Sequence, residues 1–348
     1  MSKVFVGLSG GVDSAVAARL LLDQGYEVTG VFIKIWQPEF IECTWEEDRL
    51  SAKRVAAALG IPFREIDLSD EYKTQVVEDM IRGYESGRTP NPDVLCNRHI
   101  KFGAFRIWAK AHGADKIATG HYARIVARDG QYELHRGKDV SKDQAYFLNM
   151  LTQDDLRDAL FPVGHYSKKD IRAIARRVGL PNAARPDSQG LCFVGDVRIG
   201  DFLTRFIPLT SGPVLDMQGV VIGTHAGSAQ YTIGQRHGFT LDVTHSDEKP
   251  HYIVRIDTKE NTLTVSTDLS DAQCERILVH DAHWINEEPT KGKSYTVELR
   301  YHQKPMPACV IRTADEWELE LSSLQIVSSG QSAVIYDGDR CFGGGIVS

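Results

Sequence analysis

Segments rich in apolar residues alternate with amphipathic segments along the first half of the sequence. Val4–Val6, Glu27–Lys34 and Phe63–Asp67 have the composition of short buried strands. Ala15–Leu22 and about Glu46–Leu59, which lie between them, have helical periodicity. Strands and helices that alternate at these lengths predict an α/β domain with a doubly wound parallel sheet.

The next part of the chain continues the pattern with one interruption. Helices are expected over about 70–84, 100–112 and 168–178, and a strand over Lys116–Arg124. Gly87–Arg98 contains two prolines and two asparagines, which predicts a loop and not a helix.

Beyond about residue 205 the helical periods give way to short alternating runs. Val220–His225 has this pattern, and Tyr252–Asp257 with Thr262–Ser266 has the pattern of a hairpin. We therefore expect three domains: an α/β domain over 1–200, a small mainly β domain over 201–272, and a β-barrel over 273–348.

Composition narrows the class of protein. The 348 residues are 42% hydrophobic and 25% charged, as in an ordinary soluble protein. No apolar run approaches the roughly 20 residues that span a bilayer. The N-terminus begins directly with a predicted strand, so we expect no signal peptide and a cytoplasmic location. The net charge of −7 argues weakly against a nucleic-acid partner, although a local basic surface can coexist with an acidic total.

The stretch Gly7–Ser14, Gly-Leu-Ser-Gly-Gly-Val-Asp-Ser, connects the first strand to the first helix. Gly10 and Gly11 allow a tight turn, the helix start supplies free amides, and Ser9 and Ser14 supply hydroxyl groups. These features predict a phosphate-binding turn. It lacks the Gly-Lys-Ser/Thr ending of a Walker loop and the Gly-x-Gly-x-x-Gly spacing of a dinucleotide turn.

Two cysteines lie in predicted loops and could carry chemistry. Cys96 is followed by basic residues and lies three positions after Asp93, while Cys192 lies in a segment with Pro and Gly. A lone loop cysteine is more often structural than catalytic. None of the six cysteines forms a Cys-x-x-Cys pair, so a zinc or cluster site is not expected. His280 and His283 have metal-pair spacing, although a barrel turn explains them better.

A series of short motifs occurs in one order along the whole chain. It comprises Ser9–Ser14, Asn91–Asp93 with Cys96-Asn97, Thr119–Arg124, Lys142–Gln144, Asp187–Gln189 with Cys192-Phe193, Tyr231–Arg236, and the C-terminal Gly330-Gln331 and Gly343–Gly345. The series resembles the tRNA-specific 2-thiouridylases, members of the PP-loop ATP pyrophosphatase superfamily. The resemblance differs at Ser329, where that family usually has proline, and over Trp36–Trp45, whose Cys43 has no matching role.

The resemblance implies ATP-dependent 2-thiolation of the wobble uridine of certain tRNAs. ATP adenylates the C2 oxygen, a cysteine persulfide supplies sulfur, and AMP and pyrophosphate are released. Cys192 would carry the persulfide sulfur received from a relay protein, Cys96 would attack it or assist direct transfer, and Asp93 would act as general acid/base. The implied product includes a Cys96–Cys192 disulfide. A monomer is expected.

The resemblance also implies binding residues. ATP would contact Gly7, Leu8, Ser9, Gly10, Gly11, Val12, Asp13, Ser14, Ile33 and Gly120, with Asp13 also helping to hold Mg²⁺. The tRNA would contact Asn91, Pro92, Asp93, His121, Lys142, Asp143, Gln144, Arg300, Tyr301 and Gln331. Its target base would have to be flipped out of the anticodon loop.

Other interpretations of these residues remain open. Ile33 fits a plain core strand, His121 a buried histidine at a strand end, Lys142–Gln144 a solvated turn, and Arg300-Tyr301 barrel surface. For the whole chain, the alternatives are a PP-loop synthetase acting on a small molecule, which would need neither cysteine, and a non-catalytic RNA-binding protein with a degenerate ATP site.

Overall fold

The structure is a computed structural model, and it describes residues 1–40, 45–186, 199–242, 249–312 and 316–348. In chain order the strands are β1 (Lys3–Gly7), β2 (Glu27–Lys34), β3 (Phe63–Asp67), β4 (Lys116–Ala118), β5 (Ala123–Arg128), β6 (Gln131–Arg136), β7 (Ala159–Leu160), β8 (Gly212–Leu215), β9 (Val221–His225), β10 (Phe239–Leu241), β11 (Tyr252–Asp257), β12 (Thr262–Ser266), β13 (Gln273–Trp284), β14 (Ser294–Glu298), β15 (Met306–Arg312), β16 (Trp317–Ile326), β17 (Ser332–Asp337) and β18 (Arg340–Val347). The helices are α1 (Val12–Asp23), α2 (Trp45–Leu59), α3 (Ser69–Tyr72), α4 (Glu78–Glu85), α5 (Pro92–Leu95), α6 (Phe105–Ala111), α7 (Gln153–Asp158), α8 (Lys168–Arg177) and α9 (Ile199–Leu203).

The N-terminal sheet has the order β3-β2-β1-β4-β7, and its strands pair in parallel. Successive residues of β1 point to opposite faces, as the strand period requires. Val4 and Val6 pack with α1, α2 and α8, whereas Phe5 packs with α4 and α6 on the other face. Helices therefore cover both faces, which confirms the predicted doubly wound α/β fold.

A smaller sheet follows, with the order β10-β9-β8-β12-β11. Its core contains Val214, Ile253 and Leu263, which are fully buried. The predicted hairpin is present as β11 and β12, which pair in antiparallel register.

Strands β13-β16-β15-β14-β17-β18 form an antiparallel sheet that the β13–β18 pairing closes into a six-stranded barrel. Val297, Val310 and Leu319 fill its interior. The hairpin β5–β6 extends this sheet, because His135 and Leu134 of β6 pair with Arg340 and Cys341 of β18. The N-terminal part of the chain thus contributes two strands to the C-terminal sheet.

The expectation of a loop over Gly87–Arg98 is wrong for its second half. The chain becomes helical at Pro92, continues through α5 into a π-helical stretch, Cys96–Ala104, and then into α6. Proline is compatible with a helix start because its missing N–H is one of the groups left unpaired there. Asn91 completes the start, since its side chain accepts from the amides of Asp93 and Val94 at 3.2 and 3.4 Å.

Within the part of the chain that the structure describes, no helix combines the length and apolar character that crossing a membrane requires.

Candidate active site

The turn after β1 is held together by its own serines. The Ser9 hydroxyl lies 3.3 Å from the Ser14 hydroxyl and accepts from the Gly11 amide at 3.3 Å, while Ser14 Oγ also accepts from the Ser9 amide at 3.3 Å. Helix α1 starts immediately afterwards, and no side chain caps its N-terminus. The first amides of α1 are therefore available to an anionic group, as in other phosphate-binding turns.

The neighbouring chain fixes this turn through the Gly10 carbonyl. It accepts hydrogen bonds from Ser51 Oγ of α2 at 2.9 Å and from Asn182 Nδ2 at 2.8 Å, and a longer one from Arg185 at 3.2 Å. Gly10 has φ +79°, and a Cβ there would lie 2.6 Å from the Asp48 carbonyl oxygen. Only glycine fits this position, so the turn is preorganised before any ligand binds.

The Asp13 carboxylate lies one residue into α1 and is already engaged. Lys168 Nζ, at the start of α8, lies 2.8 Å from both of its oxygens, and the Tyr122 hydroxyl donates to Asp13 Oδ1 at 2.7 Å. The Asp13 side chain is 31% exposed and that of Lys168 is 16% exposed. The pair thus lies at the edge of the glycine-rich turn, where it is accessible to solvent.

Lys168→Met is expected to lower the affinity for ATP about tenfold, which is ~1.4 kcal/mol. The substitution leaves the Asp13 carboxylate without its cation beside the turn expected to bind the triphosphate, so the two negative charges would repel. Equilibrium ATP binding measures the change. Lys169→Met, which removes an exposed lysine from the same helix, is the matched control, and equal affinities for the two variants would contradict the assignment.

A magnesium ion would find one carboxylate here, that of Asp13. Among the described residues, no cluster of three or more His, Cys, Asp or Glu side chains could hold a metal by itself. Magnesium is usually held by one or two carboxylates together with substrate phosphates and waters, so Asp13 fits the ion as a single protein ligand.

Gly120 follows β4 and packs directly on the start of α1. A Cβ at this position would lie 2.6 Å from the Ser14 amide nitrogen and 2.8 Å from the Asp13 carbonyl carbon. On the other side of β1, Ile33 is half-buried near the end of β2, and a Cβ on Gly7 would meet its Cδ1 at 3.6 Å. A cavity of about 260 Å³ opens beyond β2. Lys34, Trp36 and Trp45 are among its lining residues.

The helix that starts at Pro92 contains both Asp93 and Cys96. Cys96 follows Asp93 by three positions, and residues at this spacing lie on the same side of a helix. Cys96 is only 2% exposed and belongs to the core, whereas Asp93 is half-buried. Cys192 and Cys43 lie outside the described residues, so the predicted approach of Cys192 to Cys96 stays a prediction.

Tyr301 of the C-terminal barrel lies beside this helix. Its ring packs on Phe147 with 4.2 Å between centroids, and the Phe147 carbonyl accepts from Asn97 Nδ2 at 3.1 Å. Burial raises the pKa of Tyr301 to about 12, and the carboxylates of Asp143, Glu298 and Asp93 add to the effect. The barrel therefore contributes an aromatic side chain to the surroundings of Asp93. The neighbouring Arg300 is exposed and donates to Ser328 Oγ at 3.3 Å.

The segment that leads into Asn91 is held by both later domains. The Thr89 amide donates to the Ser329 carbonyl at 2.7 Å, and Gln331 Nε2 donates to the Thr89 carbonyl at 2.5 Å. The Thr89 hydroxyl also lies 3.3 Å from the Thr232 hydroxyl of the middle domain. In this structure Gln331 therefore positions the segment before Asp93. The contact between Ser329 and Thr89 uses the main-chain carbonyl of residue 329. The same contact is therefore possible with serine or with proline at this position.

His121 has the environment of a buried histidine. It is 7% exposed, lies 5.9 Å from the rings of Phe102 and Phe161, and shares a 2.7 Å hydrogen bond with the Thr119 hydroxyl. Burial, with a smaller effect of Lys101, lowers its pKa well below the usual value. His121 is thus neutral near pH 7, and any contribution it makes to binding is that of an uncharged hydrogen-bonding group.

The Lys142–Gln144 segment is anchored from within. Gln144 Oε1 accepts from the Tyr122 amide at 3.0 Å, and the Asp143 carboxylate accepts from the Gly137 and Ala145 amides at 2.8 and 3.1 Å. Asp143 also pairs with Arg136 at 2.9 Å. The Asp143 and Gln144 side chains therefore hold the segment in place, whereas Lys142 is partly exposed.

Arg136 is the centre of a buried charged cluster between the hairpin and the barrel. Its Nη1 contacts Asp143 at 2.9 Å and Glu298 at 2.8 Å, and its guanidinium stacks on Tyr336 at 3.6 Å. Burial raises the pKa of both carboxyls. The Arg136 guanidinium is thus the shared counterion of Asp143 and Glu298, and its removal would leave both carboxylates without this ion pair.

Arg136→Met is expected to destabilise the fold by about 3–5 kcal/mol at pH 8, because it leaves buried carboxylates unpaired. Carboxyls with a raised folded-state pKa bind protons more tightly in the folded protein, so their cost disappears as pH falls below the folded pKa. The variant should therefore regain stability as the pH is lowered from 8, as measured by urea denaturation. Lys293→Met, which breaks the exposed pair with Asp337, should leave the midpoint unchanged. An Arg136 variant as stable as this control at pH 8 would contradict the prediction.

Several residues of the site were not indicated by sequence reasoning. Lys168, Asn182 and Arg185 lie far along the chain from the groups they hold, as Arg136 lies far from Glu298, and none of the four belongs to a short motif. His280 and His283 do not form a metal pair here, because His280 contacts Asp281 and His283 contacts the Leu151 carbonyl.

A parallel doubly wound sheet with a glycine-rich turn between its first strand and its first helix is the architecture of an α/β nucleotide-binding protein. Comparison with known proteins agrees with this class and extends it. Residues 2–196 match the family model described as tRNA methyl transferase HUP domain. Residues 200–267 match the one described as tRNA methyl transferase PRC-barrel domain, and 274–347 match the Aminomethyltransferase beta-barrel domain.

Relatives of similar length carry a single name. The chain is 42% identical over 362 residues to the tRNA-specific 2-thiouridylase MnmA of Bordetella avium (strain 197N), which covers 99% of this chain and 97% of the relative. It is 43% identical over 354 residues to the protein of that name from Ralstonia nicotianae (strain ATCC BAA-1114 / GMI1000), with 99% and 96% covered. The chain belongs to the tRNA-specific 2-thiouridylase family.

Proposed function

We propose that this protein catalyses the ATP-dependent 2-thiolation of the wobble uridine of certain tRNAs. The observation that carries the proposal is the preorganised turn of Gly7–Ser14, in a chain related over its whole length to proteins named for this reaction. A reaction that begins by activating an oxygen with ATP needs such a phosphate-binding turn. Methyl transfer, which the names of two family models mention, does not require a triphosphate site.

In the first step the C2 oxygen of uridine attacks the α-phosphorus of ATP, and pyrophosphate leaves. The turn amides and the start of α1 would bind the phosphates, and Asp13 would hold a magnesium ion that neutralises the pyrophosphate. Asp93, half-buried beside Tyr301, would act as general acid/base at the uracil ring. The adenylated oxygen then becomes a leaving group that departs as AMP.

The second step forms the carbon–sulfur bond. Cys192 would carry a persulfide, and the Cys96 thiolate would attack its Cys192-bound sulfur, which forms a Cys96–Cys192 disulfide and releases hydrosulfide. The hydrosulfide adds to C2, and the C2–O bond breaks as AMP leaves. In the alternative order the terminal persulfide sulfur attacks C2 first, and Cys96 then releases the product with the same disulfide. A thiol reductant resets the two cysteines in either case.

The proposed partners follow from this chemistry. The tRNA would present an extruded base between Asp93, Tyr301 and the phosphate-binding turn, and Asn91, Pro92, His121, Lys142–Gln144, Arg300 and Gln331 would contact it or hold the residues that do. A persulfide-carrying relay protein would transfer its terminal sulfur to Cys192. We propose that the chain acts as a monomer in the cytoplasm, where thiols remain reduced.

The test is reconstitution with purified protein, ATP, Mg²⁺, a persulfide donor and unmodified tRNA. The expected products are 2-thiouridine, detected by nucleoside mass spectrometry, and pyrophosphate that depends on tRNA. Pyrophosphate release that requires a small molecule and not tRNA would favour a synthetase instead. Binding of tRNA without any nucleotide turnover would favour a non-catalytic RNA-binding protein.

A further inference from the structure

A cavity of about 330 Å³ lies beside the β5–β6 hairpin, and its lining includes three cationic side chains and a histidine. Arg124 and Arg136 come from the hairpin, Lys138 from the turn that follows it, and His165 from the turn before α8. The one carboxylate in its lining is that of Asp339. Of the three cations, Lys138 is the one that no ion pair of the described residues neutralises.

The cations of this basic cavity differ in how far they are neutralised. Arg136 is paired inward with Asp143 and Glu298, and Arg124 donates to Asp339 at 2.8 Å. Neither Lys138 nor His165 forms an ion pair with any carboxylate in the described ranges. Partial burial lowers the pKa of His165, with smaller effects of Arg124 and Lys138, so the imidazole is neutral near pH 7 and offers one N–H donor.

The cavity is fixed to the frame of the phosphate-binding turn. The Lys138 amide donates to the Gly164 carbonyl at 2.9 Å, and the Asp139 carboxylate accepts from the Lys168 amide at 2.8 Å. Lys168 in turn contacts Asp13. A ligand in the basic cavity would therefore be held at a constant position relative to the ATP site.

We propose that the basic cavity binds a backbone phosphodiester of the RNA substrate, a proposal that rests on the proposed function. Lys138 and His165 supply the hydrogen-bond donors that phosphate oxygens accept, and Arg124 adds to the positive potential. The same turn leads directly into Lys142–Gln144, the stretch expected to contact tRNA, so one RNA strand can meet both.

The exposed side chain of Val140 favours RNA over a small anion. It lines the cavity and is 76% exposed, at the tip of the turn between Lys138 and Lys142. Nucleic acid presents apolar ribose and base surface next to each phosphate, which such a side chain can cover. Inorganic phosphate presents no apolar surface, and the triphosphate of ATP already has the Gly7–Ser14 turn.

The experiment compares Lys138→Glu with the wild-type full-length chain in binding of unmodified tRNA over a series of salt concentrations. The Lys138 side chain makes no hydrogen bond in the described structure, and its amide bond to Gly164 does not depend on the side chain. We expect tRNA affinity to fall about 5–20-fold at low salt, and the slope of log affinity against log salt to decrease in magnitude by about 1. ATP affinity should not change. Lys53→Glu, an exposed lysine of α2 with the same charge change, should bind tRNA as the wild type does.

Each outcome separates this site from the proposed function. Unchanged tRNA affinity and salt slope in Lys138→Glu would overturn the site while leaving the function intact. A fall in ATP affinity without a fall in tRNA affinity would assign the basic cavity to nucleotide phosphate and also overturn it. A wild-type chain that does not bind tRNA would overturn both proposals. Lys138→Ala replaces the glutamate variant if that variant does not fold. It changes the charge by one unit instead of two, so the logarithm of tRNA affinity should fall by about half as much.

Discussion

Replacement of Cys96 by serine is expected to abolish the formation of 2-thiouridine while leaving tRNA-dependent pyrophosphate release. The proposed reaction uses the Cys96 sulfur only after the uridine has been adenylated, and an alcohol neither attacks a persulfide nor forms a disulfide at neutral pH. Thiolated product should fall by about 10³-fold or more. Nucleoside mass spectrometry measures the product, and a coupled phosphate assay measures pyrophosphate in the same reactions.

Serine is nearly isosteric with cysteine, so the buried Cys96 site should remain folded. Cys309→Ser, on the half-buried strand β15, is the matched control and should retain thiolation. In the Cys96 variant, intact-protein mass spectrometry should show the mass of one additional sulfur atom on the chain after incubation with the donor. Thiolation by Cys96→Ser at the wild-type rate would rule out a role of this thiol in sulfur transfer.

Replacement of Gly120 by alanine is expected to lower pyrophosphate release at least 100-fold, about 2.7 kcal/mol. The added Cβ would lie 2.6 Å from the Ser14 amide nitrogen, inside the contact distance of two backbone atoms. The start of α1 must move away, and the amides and the Asp13 carboxylate move with it. The loss should therefore appear both in ATP affinity and in turnover, since displacements of about 1 Å are enough to disrupt a positioned site.

Gly113→Ala is the control for the effect of a glycine-to-alanine change on the backbone without a steric clash. Gly113 has φ +87° and no neighbour within 4 Å of an added Cβ, so its substitution introduces conformational strain far from the site. Thermal unfolding should show a cost for Gly113→Ala with normal turnover. If Gly120→Ala shows normal turnover too, the proposed role of this close approach is wrong.

The N-terminal sheet could be predicted because its signals are local. The limits expected for β2 and β3 are those observed, and the turn at Gly10 and Gly11 lies between β1 and α1 as expected. Each strand is a short buried run, and each helix has its own periodicity, so neighbouring residues contain the information. The fold class follows from this alternation.

The helix at Pro92 was missed for a physical reason. Prolines usually interrupt helices, but at the first position the missing N–H has no consequence, and the Asn91 side chain caps the free amides. The prediction was based on the number of prolines and asparagines in the segment and did not consider where Pro92 lies relative to a helix start. As a result Cys96 was expected in a loop, whereas the structure places it at the start of a buried π-helical stretch.

The contacts that complete the site depend on distant parts of the chain. Lys168 reaches Asp13 across more than 150 residues, and Gln331 reaches Thr89 across 242. Neither pair has a local signal, because any lysine at a helix start and any glutamine in a turn have the same appearance in the sequence. The resemblance predicted Gln331 at the RNA, and the structure adds its hydrogen bond to the segment before Asp93.

The pairing of β6 with β18 has a consequence for synthesis on the ribosome. The hairpin is made roughly 200 residues before the strand that completes its hydrogen bonding, a delay of about 10–40 s at ordinary rates of translation. During that interval the edge of β6 that later pairs with β18 lacks its hydrogen-bonding partner, so it is open to pairing with another exposed strand until the barrel emerges.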